Sequence, residues 1–102
     1  MKNKELADIF DRIGDALEFK GENPFKISAY RKAARVLRDL TEEIESYQKE
    51  GRLREIPGVG EGIATKIEEW LTTGKMKKYE EVTSGIPPRL LDLLGIMGLG
   101  PK

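Results

Sequence analysis

No stretch of this chain alternates apolar and polar residues with the two-residue period of a strand; its apolar residues recur every three or four positions instead. Leu6, Ile9, Phe10, Ile13 and Leu17 fall on one side of a helix spanning roughly residues 4–19, with Asp8, Asp11, Asp15 and Glu18 on the other. Gly21 ends that helix. Asn23-Pro24 then reads as an N-cap followed by proline at the first helical position, where its missing N–H costs nothing. The second helix runs to about Leu40, with Ile27, Tyr30, Ala34, Val36 and Leu37 facing inward. A third is expected from Thr41 to Gly51, carrying Ile44 and Tyr47, and a short turn, Arg52 to Glu55, follows it. Another helix is expected over 61–73, with Ile63, Ile67, Trp70 and Leu71 as its core stripe and Gly74 as a left-handed C-terminal cap. Lys75 to Val82 make one more short helix, and Arg89 to Leu94 start another after the linker-like Ser84-Gly85-Ile86-Pro87-Pro88. The fold class is therefore all-α, a small helical bundle. At 102 residues, 38% of them hydrophobic, the chain supports one modest core.

Composition removes several chemistries. There is no cysteine and no histidine, so thiolate or imidazole metal sites and Ser-His or Cys-His catalysis are excluded. No apolar run approaches the ~20 residues that span a bilayer, and the amphipathic start is unlike a signal region. A cytoplasmic, nucleoid-associated protein without membrane partners is expected, with the isolated segment a monomer. Formal net charge is zero, with 18 basic and 18 acidic residues, so attraction to nucleic acid has to come from local clustering.

Two features supply such a locus. The first is Ile56-Pro57-Gly58-Val59-Gly60 between two helical segments. Pro57-Gly58 suits the central positions of a type II turn, whose second residue needs positive φ. Gly60 opens the backbone to close approach, and the helix beginning near Glu61 directs free N–H groups outward. Amide donors backed by a helix dipole suit a phosphate oxygen and ignore base sequence. The plain alternative is a tight helical connection. The pattern is echoed forty residues on, where Leu93-Leu94-Gly95-Ile96-Met97-Gly98-Leu99-Gly100 repeats the short helix followed by Ile-x-Gly-x-Gly. Since Pro101 would open the next helix, we expect the chain to be a piece of a longer protein. Residues 1–83 would form one domain with a helix–hairpin–helix at about 52–73, residues 84–88 a linker, and residues 89–102 the start of the next helix–hairpin–helix.

The second feature is a basic helix. Lys26, Arg31, Lys32, Arg35 and Arg38 face only Asp39 between residues 25 and 40. The flanks are acidic, with six acids against four bases in residues 1–24 and four against one in 41–50. A solvated helix face is the ordinary reading of such a run; the segregation favours a molecule with one basic face.

Together, Ala29-Tyr30-Arg31-Lys32-Ala33-Ala34, Pro57-Gly58-Val59-Gly60, Ile63-Ala64-x-Lys66-Ile67 and Thr73-Gly74-Lys75 resemble the amino-terminal domain of the family X DNA polymerases, over about residues 5–102. The resemblance implies a helical domain that binds gapped or nicked DNA, with the downstream 5′-phosphate in a basic pocket. It implies phosphate contacts from Lys26, Tyr30, Arg31, Lys32, Arg54, Lys75 and Lys78 and from the hairpin backbone at Gly58, Val59 and Gly60, with Gly98 and Gly100 doing the same in the second hairpin. It also implies a Na⁺ or K⁺ held by the carbonyls of Arg54, Ile56 and Val59, and no other cofactor in this segment. A divalent metal is expected only in a polymerase part outside it. Some members remove 5′-deoxyribose phosphate by lysine Schiff-base chemistry, and Lys66 matches that lysine. On sequence grounds Lys66 sits at the edge of the core stripe. A partly desolvated lysine near other cations attacks an aldehyde as the neutral amine; a lysine whose stem merely covers the core is the alternative. The sequence departs from the lyase-active pattern at Phe25, where those members have histidine, at Gly62, where they have a phosphate-binding lysine, and at Thr65, where they have an acid. Such departures are frequent in bacterial and archaeal members. Weak or absent lyase activity is expected. The rival readings are an accessory helix–hairpin–helix domain of another repair protein and a protein-interaction domain without DNA affinity.

Overall fold

The structure is a computed structural model that describes residues 2–87, and among these there is no strand. Helix α1 spans Lys2–Phe19, α2 Pro24–Asp39, α3 Ile44–Lys49, α4 Glu61–Thr73 and α5 Lys77–Thr83, with a single 3-10 turn at Leu53–Glu55 before α4.

The first two helices form an antiparallel pair, which their ion pairs show directly. Arg38, at the end of α2, reaches Asp8 and Asp11 near the start of α1 (2.6 Å each), while Arg31 reaches Asp15 and Glu18 at its end (3.0 and 2.8 Å). The four-residue connection works as its residues suggest. Gly21 takes φ +72° while the Glu22 N–H returns to the Leu17 carbonyl, and the Asn23 side chain accepts the Phe25 N–H at 2.7 Å. Gly14 lies buried inside α1, where glycine costs roughly 0.5–1 kcal/mol against alanine. A Cβ there would sit 3.3 Å from the Arg31 side chain, so its absence lets the arginine cross the helix.

Leu6, Phe10, Ile13, Leu37, Ile44, Leu53 and Ile67 are fully buried and fix one continuous core, in which the Phe10 and Tyr30 rings lie 5.9 Å apart. Ile63 and Ile67 bury the α4 stripe as expected, whereas Trp70 and Leu71 are only partly covered. Ile86 is also buried, so the chain stays packed on the helices through the first part of the segment read as a linker. The helix expected from residue 89, the second hairpin and Gly98 and Gly100 lie outside the described residues.

Two helix starts differ from expectation, each because a distant side chain captures the backbone. Helix α3 begins at Ile44 rather than Thr41. Asn3, buried in α1, donates from Nδ2 to the Glu42 carbonyl (2.8 Å) and accepts the Ile44 N–H at Oδ1 (2.9 Å). Helix α5 begins at Lys77 rather than Lys75, where the Glu69 carboxylate accepts the Lys77 N–H at 2.9 Å. Gly74, by contrast, is the left-handed cap the sequence predicts, with φ +80°. Asn3→Ala should leave the Ile44 amide without an acceptor in a buried place and cost about 2 kcal/mol. Urea unfolding measures this; a change under about 0.5 kcal/mol would show that α3 does not depend on the cap.

Candidate nucleic-acid interface

The hairpin closes on a hydrogen bond from the Val59 N–H to the Ile56 carbonyl (3.0 Å), and Gly58 takes φ +91°. Glycine is required here twice over. The backbone lies in the left-handed region, and a Cβ would stand 2.9 Å from Val36 Cγ2 on α2. Gly60 then serves as the N-cap of α4, and no side chain caps that first turn. The first helical bond runs from the Ala64 N–H to the Gly60 carbonyl at 2.9 Å, which leaves the amides of Glu61, Gly62 and Ile63 without intrahelical acceptors. A Cβ built at Gly60 or Gly62 meets nothing within 4 Å, so the backbone is open from outside at both.

Gly60, Gly62 and Ile63 border a cavity of about 860 Å³ that gathers residues from four parts of the chain. Lys26, Tyr30 and Lys32 come from α2, Arg54 and the hairpin Gly58, Val59 and Gly60 from the turn, Gly62 and Lys66 from α4, and Lys78 from α5. The sequence-predicted residues thus converge, with exceptions. Lys75 lines a separate, smaller cavity beside Trp70 and Tyr79. Arg31 points away, into its α1 carboxylates, and Arg38 does the same. The basic run of α2 therefore divides. Arginines 31 and 38 lie seven residues apart on one edge of the buried stripe and tie α2 to α1, whereas Lys26 and Lys32 border the cavity on the other.

The cavity is cationic with one apolar wall. Lys26, Lys32 and Lys66 make no ion pair among the described residues, and Lys78 has Glu81 at 3.6 Å. Lys66 Nζ lies 3.4 Å from the Gly62 carbonyl and 5.9 Å from the centre of the Tyr30 ring. Tyr30 is 7% exposed; burial, aided by the negative Glu81, pushes its phenol above the ordinary value, so at neutral pH it keeps the proton it can donate. Phe25 is 84% exposed at the start of α2 and carries no polar atom to offer an anion. Thr65 donates its hydroxyl to the Glu61 carbonyl at 2.9 Å.

Sequence reasoning missed the state of Arg54. Its guanidinium is held by two carboxylates, with Nε and Nη2 on Glu61 (2.6 and 3.0 Å) and Nη1 on Glu68 (2.9 Å). The signal was present, since residues 61 and 68 are seven apart and share a face of α4. In the hairpin, the Ile56 carbonyl receives the turn bond, and no backbone bond outside the helices goes to the carbonyls of Arg54 or Val59. Among the described residues there is no group of three or more carboxylates that could hold a metal ion, and no helix is long and apolar enough to cross a membrane.

A family model described as helix-hairpin-helix domain matches residues 1–76. The chain belongs to that family. The chain is also similar to family X DNA polymerases. It is 33% identical over its whole length to a DNA polymerase/3′-5′ exonuclease PolX of Bacillus subtilis (strain 168), of which it covers 17%. It is 31% identical over 97% of its length to a DNA polymerase lambda of Arabidopsis thaliana, covering 18%, and 30% identical over 98% to a DNA nucleotidylexotransferase of Oncorhynchus mykiss, covering 19%. The chain thus spans less than a fifth of the length of these curated relatives.

Proposed function

We propose that this domain grips the phosphate backbone of DNA without regard to sequence, on the 5′-phosphate side of a gap, as the DNA-binding part of a family X repair polymerase. One observation carries the reading. The open amides at the start of α4, the glycine turn and the lysines of three helices border a single cavity. A phosphate entering it meets N–H donors along the α4 dipole, ammonium groups from Lys26, Lys32 and Lys78, and the Tyr30 hydroxyl. None of these groups reads a base edge. A Na⁺ or K⁺ on the carbonyls of Arg54, Ile56 and Val59 would add a positive charge beside the same turn. The test compares affinity for a gapped duplex with and without a 5′-phosphate. Tighter binding of the phosphorylated gap, by about threefold or more, is expected from the extra charge of a terminal phosphate. Equal affinity would remove the 5′-phosphate from the account.

A second reading, deoxyribose-phosphate lyase activity, is favoured by the position of Lys66 in that cavity against Tyr30. As the free amine, Lys66 would add to the C1′ aldehyde of an opened abasic sugar and lose water to give an imine. Removal of a C2′ proton would then expel the phosphate at C3′. The reaction should be slow, because Gly62 supplies no anchoring cation and Thr65 no proton acceptor. Borohydride should trap a faint adduct that vanishes in Lys66→Ala and persists in Lys75→Ala. Gly62→Lys should strengthen it, since the position is open. Equal trapping in Lys66→Ala would dismiss Lys66 and leave the binding role alone.

A further inference from the structure

Arg54 borders the phosphate cavity, yet its three nitrogens already face carboxylate oxygens. Glu61 is the first residue of α4, so its negative charge occupies the helix start whose dipole would otherwise favour a phosphate. The Thr65 hydroxyl, whose proton goes mainly to the Glu61 carbonyl, lies 3.4 Å from Glu61 Oε2. Arg54 hydrogen bonds hold Glu61 below the usual carboxylate range, so it is ionised at neutral pH. This is not a buried clamp. The Arg54 and Glu61 side chains are 45% and 75% exposed, and ion pairs in such positions break at little cost.

We propose that Glu61, supported by Glu68, is an internal stand-in for phosphate: DNA binds by taking Arg54 from it, and Glu61 thereby sets how tightly the hairpin holds DNA. The proposal rests on the cavity being the phosphate seat. In the free domain Arg54 is kept extended over the start of α4, ready for an anion but neutralised, so the site presents fewer net charges than its residue types imply. When a phosphate displaces the carboxylate, the guanidinium exchanges one bidentate partner for another and Glu61 moves into solvent. Weak or poorly placed anions do not complete the exchange.

The test is a double-mutant cycle on the full chain, with a 5′-phosphorylated gapped duplex as probe and fluorescence anisotropy as readout. Glu61→Gln should tighten binding by about two- to fivefold, the range that freeing an exposed ion pair allows. In an Arg54→Gln background the same change should give less than half that gain on a logarithmic scale. Equal gains in both backgrounds would overturn the proposal, since Glu61 would then act only as a repelling charge. An NMR titration distinguishes failure of the exchange from failure of the seat. Saturation with DNA should shift both the Arg54 Nε–H and the backbone amides of residues 60–63. If the amides shift and Arg54 Nε–H does not, the seat stands and the partner exchange is wrong. If neither shifts, the seat and the exchange fall together.

Discussion

Gly58→Val is expected to abolish measurable DNA binding and to cost the domain about 3 kcal/mol. The cost has two sources. A residue with a Cβ pays roughly 1–2 kcal/mol to enter the left-handed region, and Gly58 has φ +91°. Its Cβ would also stand 2.9 Å from Val36 Cγ2, a clash the valine branches worsen, and overpacking of this kind typically adds about 1–3 kcal/mol. Because Val36 belongs to α2, the strain is not confined to the turn but pushes the hairpin off the helix that carries Lys26 and Lys32. The helices should persist at low temperature, since Ile56 and Val59 are only a small part of a core that Leu6, Phe10, Ile13, Leu37 and Ile67 fill. Circular dichroism with chemical unfolding, read beside a binding titration, checks both parts. A folded Gly58→Val protein with parental affinity would remove the hairpin from the interface.

The second large effect is expected on α2, where one run of basic residues serves two purposes. Exchanging Lys26, Lys32 and Lys78 together for glutamine should weaken DNA binding by about 100-fold near 0.1 M salt, because each phosphate no longer neutralised forfeits a factor of several from counterion release. Exchanging Arg31 and Arg38 should leave affinity within about twofold. Their guanidiniums are taken by Asp15, Glu18, Asp8 and Asp11, and the loss should appear as about 1 kcal/mol of stability. The reverse outcome, with the arginines mattering for DNA and the lysines not, would place the interface on the α1 side of the molecule.

This division shows what a sequence reveals and what it withholds. The caps at Asn23-Pro24 and Gly74, the Pro57-Gly58 turn and the buried stripe of α1 were legible because each follows from residues a few positions apart. The convergence of Lys26, Tyr30, Arg54, Lys66 and Lys78 on one cavity followed from the family pattern, which carries tertiary information that no local rule contains. The partners of the charges were missed, although their spacing was there to read. The basic run on α2 looked like one face, although Asp8, Asp11, Asp15 and Glu18 form a stripe on α1 spaced to receive arginines seven residues apart. Asn3 was not legible: its two hydrogen bonds reach across 39 and 41 residues to set where α3 begins. A short-range pattern cannot report a cap supplied from so far away.

Binding through the phosphate backbone should show in its dependence on salt. Affinity for two gapped duplexes of unrelated sequence should be equal within about twofold, and log affinity against log salt should slope by roughly −2 to −4 as two to four phosphates are neutralised. A flat salt response, or a preference of about tenfold or more for one sequence, would mean that the domain does not hold DNA by its phosphates.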